Sequence, residues 1–318
     1  MTHILEIISE YERNHPFEGK PNRLYQAKNY LVSLGGKRAR PAALLASCLA
    51  FGGSIEEAIK AAWSFELFHN FTLAHDDIMD DAPLRRGKVA LHEKYDVPTS
   101  ILAGDNIMLY VYKNLFEYPQ DIALEISKLV TQTGIEICEG QYMDMSFEEM
   151  STIKEEQYIE MIRLKTSVLL AACLKAGAAI AKAPKNIQKE MYDLGVHLGI
   201  GFQIKDDLFD YGYGQDIGKP TGIDIKEKKT TLPLIYALNK VGWLKKRQLI
   251  NIVKNHNTNR KKVDELFAFV KEQGGIDYAE KVMLDYTQKA KDILMTMPEN
   301  NARASLLRLV DYTITRKK

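Results

Sequence analysis

A long apolar run that ends in acid constrains this chain most, and the chain contains two. One opens at Ser54 and passes through AIKAAWSFELFHNFTLAH into DDIMDD, Asp76 to Asp81. The other restarts after Pro184 and ends in GFQIKDDLFD, with Asp206, Asp207 and Asp210. Apolar-rich helices must be buried, and charge delivered from a buried face is costly unless something compensates it. The fold therefore has to bury both shafts and still give their acidic ends a partner.

The remaining punctuation also predicts helices. Pro41 fits the first turn of a helix through AALLASCLA. Ser54-Ile-Glu-Glu57 and Thr152-Ile-Lys-Glu155 read as capping boxes, the second opening a helix to about Lys182. Pro98, Pro119 with Asp121, Pro184 and Pro233 start further helices, with breaks at Asn255–Asn259, Gly274–Gly275 and Pro298. Strand alternation and Asn-Gly hairpins are lacking. The one long irregular stretch, Tyr211 to Thr230, has the size of a lid or binding loop. No linker or repeat divides the chain, so the expectation is one all-α domain, 1–318, a helical bundle able to enclose a cavity.

Lys+Arg total 43 and Asp+Glu 42, a formal charge of +1. That balance gives no support to a nucleic-acid or membrane-surface binder, so function must sit in local clusters. Cys48, Cys138 and Cys173 are scattered and lack metal or redox spacing, which suits reduced thiols. The N-terminus does not read as a signal peptide, and no run approaches the roughly 18 apolar residues of a membrane span. A soluble, cytoplasmic protein is expected.

On a helix, Asp76 and Asp80 share a face at a spacing of four, and Asp77 adjoins Asp80 at three. Asp206, Asp207 and Asp210 repeat the pattern. One such run is more often a solvated helix end than a site. Two, each closing an apolar helix, point to bound cations. Carboxylates alone suit a hard cation such as magnesium, which shares its shell with substrate phosphates. Zinc would want a nitrogen or sulfur set that neither cluster supplies, although His69 and His75 are near. Basic groups accompany the acids: Lys37, Arg38 and Arg40 in GGKRARP; Arg85, Arg86 and Lys88 after the first cluster; Lys165 in an apolar stretch; Lys219, Lys226, Lys228 and Lys229 in the long loop. Individually most would be surface charges. Together they suggest two diphosphate sites, one of them bridged by metal.

These motifs, GGKRARP, HDDIMDDAPLRRG, GQYMD, LKT and GFQIKDDLFD followed by GKPTGIDIKEKKTTLP, closely resemble those of the trans-isoprenyl diphosphate synthases, the polyprenyl synthetases. The resemblance implies an all-α fold around a deep central cavity, a homodimer, and head-to-tail condensation of isopentenyl diphosphate with an allylic diphosphate. It places Asp76, Asp77 and Asp80, and Asp206, Asp207 and Asp210, as magnesium ligands. Lys37, Arg40, His69 and Arg86 match the isopentenyl diphosphate site. Arg85, Lys165, Lys219 and Lys229 match the allylic diphosphate site. Lys165, Thr166, Gln203 and Lys219 match catalytic positions, while Gln141, Asp144 and Asp224 also belong to the cavity. Asp81 is an acid beyond the motif with no assigned role. The implied chemistry is ionisation of the allylic C–O bond, attack by the isopentenyl double bond and proton loss to the departing pyrophosphate, with water excluded by the long loop and the C-terminal TRKK.

Product length should follow from bulk upstream of Asp76. Phe71 lies five residues before it, roughly 7.5 Å along a helix axis, and Phe68 and Phe65 lie further down. In the resembled family a bulky ring there, with small Thr72 beside it, fits short-chain synthases of the geranylgeranyl type. The expected product is C20; C15 and longer polyprenyl diphosphates are the alternatives. A class I terpene cyclase would have no use for GGKRARP and RRG, and a non-catalytic subunit would be expected to lose aspartates that are intact here.

Overall fold

A computed structural model describes residues 2–150, 152–213, 222–297 and 299–315. Among them helices dominate: α1 Thr2–Asn14, α2 Asn22–Ser33, α3 Ala39–Ala50, α4 Ile55–Met79, α5 Leu91–Lys94, α6 Val97–Leu115, α7 Gln120–Phe147, α8 Glu155–Ile162, α9 Val168–Ile180, α10 Lys185–Asp210, α11 Ile223–Lys226, α12 Leu232–Asn239, α13 Trp243–Asn255, α14 Arg260–Glu272, α15 Gly275–Met295 and α16 Asn301–Thr315. The all-α expectation holds. Its small exception is a hairpin of β1 Leu84–Arg85 and β2 Lys88–Val89.

The chain divides into two compact units. The first comprises 1–131, 172–191 and 298–306. Here α4 packs along α3 and α6, burying Phe65, Leu67, Phe68 and Ala74 against a core that includes Leu44, Leu45, Ile107 and Val111. The helix is apolar around most of its circumference because neighbours cover it on more than one side. Its start is set as the sequence predicts. Ser54 Oγ accepts from the Glu57 amide, and the Glu57 carboxylate accepts from the Ser54 amide at 2.8 Å.

The second unit comprises 132–171, 192–297 and 307–318. One core joins Tyr158, Ile162, Ile200, Ile204, Leu208, Leu232 and Met283; a second gathers Ile225, Leu234, Leu249, Leu266 and Val270. Two local expectations are corrected in this unit. The capping box at Thr152 does not form: α8 begins at Glu155, and Gln157 Oε1 accepts from the Lys154 amide at 2.9 Å instead. The single helix to Lys182 is interrupted by a π-turn, Arg163–Ser167, between α8 and α9. Lys165 and Thr166 ride on that turn. Such bulges inside helices concentrate at functional sites because they redirect side chains.

Candidate active site

The first acidic cluster closes α4. Asp77 is fully buried, and its Oδ1 accepts from Arg85 Nε at 2.6 Å and again from a terminal nitrogen of the same guanidinium. Asp77 Oδ2 is also buried and has no hydrogen-bond partner. Asp76 is half-buried, and exposed Asp80 ends the helix, its amide bonded to the Asp76 carbonyl at 2.8 Å. Arg85 reaches Asp77 from the hairpin, where Leu84 pairs with Val89 and Arg85 with Lys88. Both turn residues, Arg86 and Gly87, take left-handed backbone, φ 54° and 77°. A two-residue hairpin turn with both centres left-handed matches the strand twist, at a steric cost for arginine.

That turn brings the two basic motifs together. The Arg86 guanidinium lies against Gly36; a Cβ there would stand 2.6 Å from Arg86 Nη1. What holds this GGKR position to glycine is its backbone, φ 146°, since the guanidinium end of Arg86 could shift aside. Arg40 Nη1 donates to His69 Nε2 at 3.1 Å. Burial, then the nearby guanidiniums of Arg40, Arg86, Arg85 and Arg38, pushes His69 well below the usual histidine range, so it stays neutral. Lys37 is exposed on the turn before α3. Two nearby cations serve other ends. Arg38 turns inward, donating to Glu66 at 2.5 Å and Glu12 at 2.7 Å, and Lys88 Nζ donates to the Ser33 carbonyl at 2.9 Å. Below the acids, the half-buried Phe71 ring sits 4.8 Å from His75 edge-on and 6.1 Å from the buried Phe68 ring. Thr72 Oγ1 donates to the His69 carbonyl at 2.9 Å.

The second cluster lies in the other unit, around a cavity of about 110 Å³ lined by Asp144, Tyr158, Lys165, Thr166, Gln203, Asp207, Asp224 and Lys229. Lys165 Nζ donates to Asp144 at 2.6 Å. Thr166 Oγ1 donates to Gln203 Oε1 at 3.0 Å, and Gln203 Nε2 donates to Asp207 Oδ1 at 2.9 Å. Gly140 of GQYMD lets α7 approach the π-turn, since a Cβ there would stand 2.4 Å from the Lys165 amide nitrogen. Gln141, one residue on, is buried with both amide atoms unbonded. Asp206 is half-buried. Asp210 spends its carboxylate on α11, accepting from the amides of Ile223 at 2.7 Å and Asp224 at 3.3 Å. Lys229 donates to Glu227 at 2.7 Å. Lys219 and the rest of 214–221, like the Arg316–Lys318 tail, lie outside the described residues.

Sequence reasoning missed Tyr158, whose buried hydroxyl donates a short hydrogen bond to Asp207 Oδ2. It sits where a helical period wants an apolar core residue, so only its partner reveals its role. Burial first, then the charges of Asp206 and Asp144, raises Asp207 to about 7 against the hydrogen bonds of Tyr158 and Gln203. Burial, then Asp207 and Asp210, raises Asp224 to about 9. This crowd of oxygen donors is held short of full ionisation by burial first and by its own repulsion second.

A family model described as polyprenyl synthetase matches residues 21–270, a span that runs through both units. The geranylgeranyl pyrophosphate synthase of Geoglobus acetivorans is 38% identical over 309 residues, 94% of this chain and 92% of that protein. The geranylfarnesyl diphosphate synthase of Natronomonas pharaonis is 33% identical over 336 residues, 98% of this chain and 95% of that protein. The crystal structure of geranylgeranyl pyrophosphate synthetase from Pyrococcus horikoshii superposes with a TM-score of 0.91 at 34% identity, covering 98% of this chain and 96% of that one.

Proposed function

The chain belongs to the polyprenyl synthetase family, and we propose that it condenses isopentenyl diphosphate with an allylic diphosphate to make geranylgeranyl diphosphate. The observation that carries this reading is that the chain holds, besides two intact acid clusters, the Arg40–His69–Arg86 group within its first unit, since a cyclase would need the acids without that cationic group.

Asp76, Asp77 and Asp80, with Asp206, Asp207 and Asp210, would hold magnesium. The all-oxygen donor sets, the unpartnered Asp77 Oδ2 and the raised Asp207 fit a hard divalent cation. When bound, magnesium neutralises the diphosphate as the allylic C–O bond breaks. Arg85, Lys165, Lys219 and Lys229 bind the allylic diphosphate, and their fixed charge favours the leaving group as it gains its electron pair. Lys37, Arg40 and Arg86 bind isopentenyl diphosphate, with neutral His69 able to donate from Nδ1. The Thr166 hydroxyl and Gln203 amide orient dipoles toward the allylic cation. The new carbon–carbon bond forms from the isopentenyl double bond, and the proton passes to the departing pyrophosphate.

The reading takes residues 1–318 as one catalytic domain and the enzyme as a cytoplasmic homodimer. Free thiols at Cys48, Cys138 and Cys173 support the compartment. Exposed Ile101, Leu102 and Leu109 on α6, with Phe116 just after its end, support self-association. No helix among the described residues is long and apolar enough to cross a membrane.

Incubation with isopentenyl diphosphate, each allylic primer and magnesium, followed by identification of the prenyl alcohols, is expected to yield C20. A cyclic hydrocarbon, or no turnover with any primer, would remove the assignment.

The raised carboxyls give a pH prediction. Asp207 at about 7 and Asp224 at about 9 stand above their unfolded values of ~3.9, so each contributes stability that is complete below ~4. That contribution is lost as pH rises through about 7 and about 9. The metal-free Tm should therefore fall from about pH 4 to about pH 9, while the rise in Tm produced by magnesium grows over the same window. Thermal melts with chelator and with magnesium measure both. A magnesium shift independent of pH would exclude the second cluster as its site.

A further inference from the structure

Another set of donors gathers at the base of the arginine hairpin. Carboxylate oxygens of Asp81 and Glu93 and a ring nitrogen of His92 lie within 4.8 Å of one another. His92 is the residue that points to a ligand. It is only 8% exposed, yet neither ring nitrogen has a hydrogen-bond partner. A buried imidazole in a settled apolar core normally gives its N–H to an acceptor. His92 Nε2 stands 3.6 Å from Glu93 Oε1. That is too long for a hydrogen bond, but near the ~3.4 Å edge of a tetrahedron with metal–ligand bonds of ~2.1 Å.

The backbone makes this juxtaposition deliberate. Asp81 takes left-handed φ, 48°, immediately after α4, and its amide bonds the Ile78 carbonyl at 3.3 Å. The chain runs out through the hairpin and returns, the Ala90 amide bonding the Pro83 carbonyl at 3.0 Å. His92 and Glu93 follow on α5. The returning segment thus arrives beside the acid that the aspartate motif leaves over.

We propose that Asp81, His92 and Glu93 form a binding site for a borderline divalent cation, zinc or a first-row relative, separate from the carboxylate clusters assigned to magnesium. An imidazole with two carboxylates selects such ions over magnesium, which prefers oxygen alone. Three protein ligands leave a coordination position for water. The cation fastens Asp81 to His92 and Glu93, the two ends of the segment that carries Arg85 and Arg86. Its occupancy would restrict that segment and with it the positions of both arginines.

The test uses the full chain, stripped with chelator and then dialysed against zinc in excess magnesium. Wild type is expected to retain one zinc per chain more than Asp81→Asn, Glu93→Gln or His92→Asn, with affinity at this site falling ~10- to 100-fold or more in each. Cobalt(II) should give visible d–d bands in the wild type that the variants lack. Asp81 and Glu93 are exposed, so their variants decide the matter even where His92→Asn does not fold. Equal zinc retention and equal cobalt spectra in wild type and both carboxylate variants would overturn the site. So would a loss confined to His92→Asn.

Discussion

Asp207→Asn is expected to lower kcat on the order of 10³-fold without lowering the metal-free Tm. The two halves of this expectation come from the same environment. Asp207 is 6% exposed and is pushed to about 7 by burial and by Asp206 and Asp144. At neutral pH and above, its negative charge opposes folding, and asparagine removes that charge at nearly constant volume. The hydrogen bonds survive the exchange: Asn Oδ1 can accept from Gln203 Nε2 as Asp207 Oδ1 does at 2.9 Å, and Asn Nδ2 can donate to the Tyr158 oxygen once that hydroxyl rotates. On the proposed reading, what is lost is an anionic ligand for the magnesium that would neutralise the leaving diphosphate. Steady-state kinetics across a magnesium titration, with thermal melts in chelator, separate the two effects. Unchanged kcat would remove Asp207 from the metal set. A large fall in Tm would mean that its charge is compensated in the folded protein.

The sequence disclosed those features whose cause is local. Ser54 and Glu57 cap α4 reciprocally, four-residue spacings place aspartates on shared faces, and prolines mark where helices begin. Features whose cause lies elsewhere in the chain stayed hidden. The π-turn under Lys165 and Thr166 packs closely against Gly140, a neighbour distant in sequence, and helix continues on both sides of it without a break in the residue pattern. The hairpin uses Arg86-Gly87 where Asn-Gly would have announced it, and its arginine lies against Gly36, fifty residues upstream. In GGKRARP all three cations look alike. Arg38 is separated only by its partners Glu12 and Glu66, both distant in sequence. Thr152 had the spacing of a cap, but the helix starts two residues later than that spacing requires.

Phe71→Ala is expected to lengthen the product, with C25 replacing C20 as the main species. Phe71 projects from α4 five residues before Asp76, and it is half-buried where Phe68 and Phe65 are fully buried. Its ring packs edge-on to His75 at 4.8 Å and beside Phe68 at 6.1 Å, so the helix itself holds it in place. A prenyl tail growing from a diphosphate held at Asp76 and running along this helix meets Phe71 first. Truncation moves the first obstacle back to Phe68, three residues or ~4.5 Å lower, close to the length of one five-carbon unit. Phe68 itself is core, and its loss should cost about 3–5 kcal/mol of stability besides any change of product. Thr72→Phe adds a second ring at the neighbouring position and should shift the product toward C15. The variants therefore predict opposite displacements of one distribution, measured by chromatography and mass spectrometry of the dephosphorylated alcohols. Identical distributions for wild type and Phe71→Ala would show that chain growth stops against some other surface, and the C20 assignment would lose its physical basis in α4.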